Sequence, residues 1–155
     1  MIVAYTGPSQ LGHSQRTWAA WQMLSLKLMR GDEVEKWATG CQYGIDTLAA
    51  QIGDAIWQDV VLYVPAAPHN GHLVNSMKDD HETIYCPERE SVADSYRMRN
   101  RLMVEGVDLL VAFVNQGRFY RSGEWMTINL ARKLGVKVEL AIMPVREGEK
   151  FAQAR

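Results

Sequence analysis

Cysteine is scarce in this chain, charges of the two signs nearly cancel, and no hydrophobic run approaches membrane length. Each of these shortages removes a class of protein. Cys41 and Cys86 are too few and too far apart for a disulfide framework or a zinc knuckle, which suits a reducing cytosol. Seventeen basic residues against eighteen acidic ones give no global electrostatic case for nucleic acid, leaving only a local basic patch as a route to it. The N-terminus opens on the strand-like run Ile2-Val3-Ala4-Tyr5 with no basic and apolar leader. A soluble, cytoplasmic protein without a membrane partner is therefore expected. Neither the G-x-G-x-x-G fingerprint nor a P-loop is present, which excludes an ordinary dehydrogenase or P-loop ATPase. His69-x-x-His72 lacks an evident third ligand and reads as part of a solvated loop, so no metal and no cofactor is expected.

What is present is a globular pattern. With 155 residues, 47% of them hydrophobic, the chain suits one domain over residues 1–145, followed by a polar tail at 146–155. The stretch from Asp108 to Gly135 organises the rest. Its apolar run to Asn115 has no polar alternation, as in a strand buried on both faces of a parallel sheet. A polar loop follows, then a helical pattern opening at Ser122-Gly123-Glu124, with Met126, Leu130 and Leu134 recurring at fours. Earlier strands are predicted at Ile2–Tyr5, Val34–Ala38, Asp59–Val64 and Glu82–Tyr85, and a last one at Val136–Ile142. Helices are predicted over Ser14–Met29, from Ile45 to Ile56, and over Glu88–Glu105, while Ala66–Asp80 reads as a loop with at most one helical turn. Alternating strands and helices with short turns imply an α/β sandwich with a mostly parallel sheet.

In such sheets ligands gather outside the carboxyl ends of the strands, near the reversal of strand order. Three predicted strand ends carry glycine-containing turns there: Thr6-Gly7-Pro8, Thr39-Gly40 with Gly44, and Ser122-Gly123. A helix start of the last kind binds anions, phosphate above all, because its first N–H groups lack intrahelical partners. Ser122 equally suits a plain helix cap, and Asp46 a plain helix-start residue. Trp18 and Trp21 read as core or subunit-contact residues, and the greasy face of their helix suggests a homodimer.

The segments Tyr5-Thr6-Gly7-Pro8, Thr39 to Ala49 (with Gly40, Gly44, Ile45 and Asp46), Arg99-Asn100-Arg101, and Ser122-Gly123 with Thr127 and Ala131 together resemble the SLOG superfamily. That group of Rossmann-like proteins includes the DNA-processing protein A (Smf), YpsA-like and cytokinin-activating LOG families. The resemblance runs in order over about residues 2 to 142. It implies a three-layer Rossmann-like fold and a pocket for a nucleotide or nucleotide-derived ligand. In that pocket Thr6, Gly7 and Pro8 would line one wall and Gly40, Gly44 and Asp46 another. Arg99 and Asn100 would face the ligand, and Ser122, Gly123 and Thr127 would hold its phosphate.

The chain departs from its relatives at three places. Ser9 and Gln10 follow the Thr6-Gly7-Pro8 turn where YpsA-type relatives often carry a basic residue. Glu124 stands where a small hydroxylated residue is usual; its carboxylate suits the helix dipole but repels a phosphate at the same end. LOG enzymes carry a Pro-Gly-Gly-x-Gly-Thr-x-x-Glu segment here, and Asn129 in place of its carboxylate cannot ionise. Three functions follow as alternatives. One is a non-catalytic sensor or carrier of a nucleotide-type ligand. The second is a nucleoside-phosphate N-glycoside hydrolase using Asp46 or Glu124. The third is a single-stranded DNA binder using Arg97, Arg99, Arg101, Arg118, Tyr120 and Arg121.

Overall fold

Strands rich in Val, Ile, Leu and Ala without polar alternation bury both faces, and the computed structural model places them in one parallel sheet. It describes residues 1–116 and 123–146. The strands are β1 (Ile2–Thr6), β2 (Lys36–Thr39), β3 (Asp59–Val64), β4 (Glu82–Tyr85), β5 (Leu109–Asn115) and β6 (Lys137–Met143). The helices are α1 (His13–Arg30), α2 (Ile45–Ala55), α3 (Gly71–Met77), α4 (Val92–Glu105) and α5 (Gly123–Lys133), with a 3-10 turn at Gly31–Glu33.

The six strands lie in the order β4-β3-β2-β1-β5-β6, and every pairing is parallel. Helices cover both faces. One face packs Val3, Tyr5, Trp37, Leu62 and Phe113 under α1 and α2. The other packs Ala4, Ala38, Val61, Tyr63 and Leu110 under α4 and α5. This is the three-layer α/β, Rossmann-like arrangement expected from the sequence. The chain steps outward from β1 to β4, and α4 then carries it back across the sheet to β5 on the other side of β1. The reversal falls between β1 and β5, so the strand-end crevice opens above Thr6 and Asn115.

Three local expectations change. The 66–80 stretch contains a real helix, α3, because the Asn70 side chain caps it by accepting from the Leu73 amide at 3.2 Å and Leu73, Val74 and Met77 are buried. Helix α4 starts at Val92 rather than Glu88, where the Ser91 hydroxyl accepts from the Asp94 amide at 3.1 Å. On α5 the buried positions are Thr127, Ile128 and Ala131, whereas Met126 is 51% and Leu134 41% exposed. Of the two tryptophans expected at core or subunit contacts, Trp18 is partly buried and packs edge-on against Phe113, and Trp21 is 63% exposed. Among the described residues, no helix is long and apolar enough to cross a membrane. The expected tail beyond 146 lies outside the described residues.

Candidate functional site

Two of the three glycine turns are tied together at the switch point. The Pro8 carbonyl, just past β1, accepts the Ile45 amide at 3.2 Å, so the start of α2 is fastened to the β1 turn. Gly44, at φ 77°, makes that approach possible: a Cβ there would collide with the Pro8 carbonyl and with Ser9, whose Cα would lie 2.8 Å away. Cys41 also adopts a left-handed backbone, φ 64°, which is uncommon for a residue with a side chain. Strained backbone of this kind concentrates at binding sites. The turn is further braced by the Thr39 hydroxyl donating to the Asp46 carbonyl at 2.9 Å, the Thr47 hydroxyl to the Gln42 carbonyl at 2.6 Å, and the Asn70 amide N–H to the Cys41 carbonyl at 2.9 Å. Tyr43, on the same turn, is 55% exposed.

Beneath the turn lies a buried polar strut. Arg99 of α4 donates from Nη1 to the Gly40 carbonyl and from Nε to Asn100 Oδ1 at 2.7 Å, with Asp46 Oδ2 3.7 Å from Nη1. A Cβ on Gly40 would lie within the Arg99 guanidinium, so glycine is required there for packing. The side chains of Arg99 and Asp46 are only 8% and 7% exposed. Burial pushes the Asp46 carboxyl up to about 6 against the opposing pull of Arg99 and of the Gln42 amide, which donates to it at 3.1 Å; Glu124 adds a smaller upward push. Burial outweighs the guanidinium because the direct Arg99 hydrogen bond goes to a backbone carbonyl rather than to the carboxylate. Burial likewise raises the Cys41 thiol to about 12, so it is no nucleophile near neutrality.

The predicted site residues therefore divide. Thr6, Gly7 and Pro8 stand at the end of β1, and Gly40, Gly44 and Asp46 at the β2–α2 turn. Gly123 opens α5, and the Thr127 hydroxyl is turned back to the Gly123 carbonyl at 3.4 Å. Arg99 and Asn100 come to the same edge, but Arg99 is committed to internal partners. Ser122 lies outside the described residues, as do Arg118, Tyr120 and Arg121. Of the remaining arginines of the predicted DNA-binding cluster, Arg97 pairs with Asp94 at 2.7 Å and Arg101 with Glu105 at 2.8 Å. A groove of about 690 Å³ along α4 sets Arg89, Arg97 and Arg101 against Glu88, Glu90 and Asp94, and shares no residue with the switch point. Its charges cancel, so it is not a basic track.

Sequence reasoning missed two features. Gln15 donates from Nε2 to Asn115 Oδ1 at 3.1 Å and to the Pro144 carbonyl at 2.9 Å, locking the ends of β5 and β6 beside the crevice. Its only sequence signal is a polar residue on the buried side of a helix. Tyr43 was legible as an aromatic within a glycine turn, but its exposure was not.

No protein-family model matches the chain, and no curated protein matches it in sequence. Among solved structures it is similar to DNA processing protein A from Streptococcus pneumoniae, with a TM-score of 0.69 and 16% identity over 89% of this chain and 49% of that one. It is also similar to DNA processing protein A from Helicobacter pylori, whose structure concerns a single-stranded DNA binding mode, with a TM-score of 0.65 and 16% identity over 96% of this chain and 67% of that one. The chain thus spans about half the length of the pneumococcal protein. Its fold is the Rossmann-like α/β fold seen in the DNA processing protein A structures.

Proposed function

We propose that the chain binds a nucleotide-type ligand in the crevice between β1 and β5, as a sensor or carrier. The observation that carries this reading is the Pro8–Ile45 bond, which fastens the β2–α2 turn to the β1 turn at the carboxyl edge of the sheet. The first turn of α5, at Gly123, supplies N–H donors for a phosphate, and Tyr43 supplies a stacking face for a base. Arg99 acts from below: it holds the Gly40 carbonyl and the Asp46 region in place rather than meeting the phosphate itself. Binding without chemistry is favoured because Asp46 is buried and paired, Cys41 is held as a thiol, and Asn129 replaces the LOG carboxylate.

A second reading, single-stranded DNA, rests on the likeness to the Helicobacter pylori structure. A polynucleotide offers the same phosphates and bases to the same crevice. Against it stand the acidic partners of Arg97 and Arg101.

The test is a thermal-shift screen of nucleoside monophosphates, cyclic dinucleotides, ADP-ribose and an oligothymidylate, with chromatography of each mixture for released base. A ligand at about a hundred times its Kd stabilises by ~2.7 kcal/mol, which raises Tm by roughly 5–11 °C for a chain of this size. Tyr43→Ala is expected to abolish most of the shift, whereas Glu124→Gln is expected to enlarge it for phosphate ligands by removing a like charge. A shift that falls steeply with salt and appears only with the oligonucleotide would transfer the function to DNA. Released base would make the protein a hydrolase, and no shift with any ligand would remove the crevice as a site.

A further inference from the structure

A second cleft, of about 320 Å³, opens between α1 and β6 on the face of the sheet that carries Tyr5, and shares no residue with the strand-end crevice. Trp18 and Met29 of α1 and Ala141 of β6 give it apolar walls, with Gln22 and Ser25 also lining it. Tyr5 also lines it and is fully buried, its ring edge-on to Trp37 at 4.9 Å. The Tyr5 hydroxyl has no hydrogen-bond partner among the described residues. An orphaned buried hydroxyl is costly, and in native proteins it usually marks a place where water or another molecule completes the bonding.

The surroundings narrow the chemistry. Burial first, and the Glu139 carboxylate second, push the Tyr5 hydroxyl well above its ordinary range, so it keeps its proton and offers an O–H donor. Glu139 lines the same cleft and is held by Arg30 at 3.3 Å and Lys137 at 3.7 Å. A ligand anion would meet the Glu139 carboxylate, and a ligand cation would compete with Arg30. The volume lies at the lower end of the range for small-molecule sites, too small for a folded segment.

We propose that this cleft binds a neutral, largely apolar small molecule that presents one hydrogen-bond acceptor, a carbonyl oxygen or a ring nitrogen, to the Tyr5 hydroxyl. The occupant sits against α1 and β6 and satisfies the one polar group that the fold leaves alone at the bottom of the cleft. Because Tyr5 precedes Thr6 on β1, the two sites lean on one strand while remaining separate.

Quinoline is a suitable probe, being flat, neutral at pH 7.5 and equipped with one ring-nitrogen acceptor. Quinoline-4-carboxylate adds a negative charge, and N-methylquinolinium blocks the acceptor. Each is titrated into the full chain and followed by amide chemical shifts, with Tyr5→Phe and Ser25→Phe as variants whose own spectra report whether they fold. Quinoline is expected to give saturable shifts along residues 18–29 and 139–142, and both charged probes are expected to bind more weakly. Loss of one hydrogen bond in Tyr5→Phe corresponds to a roughly two- to tenfold weaker affinity, and Ser25→Phe, which fills the cleft, abolishes the shifts. Equal affinity in wild type and Tyr5→Phe, shifts centred elsewhere, or broadening of the same residues by self-association in the absence of probe would each overturn the proposal.

Discussion

Gly44 and Gly135 form a matched pair that tests whether the rim of the crevice depends on close backbone approach. Both adopt φ 77°, where alanine carries strain of roughly 1–2 kcal/mol, and at Gly44 a ψ of −128°, outside the left-handed helical well, adds to it. Both substitutions also reduce the freedom of the unfolded chain alike, by ~0.4–1 kcal/mol in the stabilising direction. They differ in what the new methyl meets. At Gly135 nothing lies within 4 Å, whereas at Gly44 it would strike the Pro8 carbonyl and the Ser9 backbone. Backbone cannot rotate away as a flexible side chain can, so Gly44→Ala adds an overpacking cost of about 1–3 kcal/mol. Gly135→Ala is therefore expected to cost at most ~1.5 kcal/mol, and Gly44→Ala that amount plus its added backbone strain and the collision. Urea unfolding of the two variants, followed by circular dichroism, measures the difference directly; in Tm the collision alone contributes roughly 2–12 °C. Equal losses would refute the claim that the β1 and β2 turns are held in contact through Gly44, and with it the fastening on which the proposed site rests.

Two further predictions concern buried polar groups. Asp46 has its pKa raised by burial, then opposed by Arg99, from 3.8 to about 6. As pH rises from 3.8 to 6 the unfolded chain loses this proton before the folded one does, so the folded state is penalised. At ~1.4 kcal/mol per pH unit the penalty reaches about 3 kcal/mol above pH 6 and vanishes below pH 4. The urea midpoint of Asp46→Asn, measured between pH 4.5 and 7.5, should lack the fall that the wild type shows; parallel profiles would mean that Arg99 dominates instead. Tyr5→Phe removes the unpartnered hydroxyl of a fully buried ring and is expected to raise stability by ~1–3 kcal/mol, read as a higher urea midpoint. A loss of stability would show that the hydroxyl is bonded in solution.

Much of the architecture was legible because its signals are local. The unbroken apolar run from Leu109 to Val114 announced a central strand, and the Ile45, Leu48 and Ala49 stripe announced the buried side of α2. α3 escaped because its cap, Asn70, and its apolar positions Leu73, Val74 and Met77 are embedded among prolines and histidines that read as loop. The α5 stripe was misplaced for a different reason. Periodicity locates a face, but Thr127, Ile128 and Ala131 face the sheet, and that choice is made by β5 and β6 rather than by the helix.

At the candidate site the glycine turns were legible in the sequence and the partners of the charged side chains were not. Gly40 and Gly44 follow from steric demands that any backbone reading anticipates, while the destination of an arginine depends on which carbonyl or carboxylate the fold brings within reach. Arg99 finds the Gly40 carbonyl, Asn100 and Asp46, and is withdrawn from solvent. A guanidinium so committed cannot also clamp a phosphate without leaving Asp46 buried and uncompensated, a change that commonly costs about 3–5 kcal/mol. In the proposed function, anion recognition at this edge would then fall to backbone N–H groups at the start of α5, with the Glu124 carboxylate opposing the negative charge they accept. Under the proposed function, the crevice would favour the neutral parts of a nucleotide, a stacked base and a sugar, over a densely charged polyphosphate. Mono- and diphosphates should therefore outrank triphosphates in affinity for the wild type, and Glu124→Gln should narrow or reverse that order.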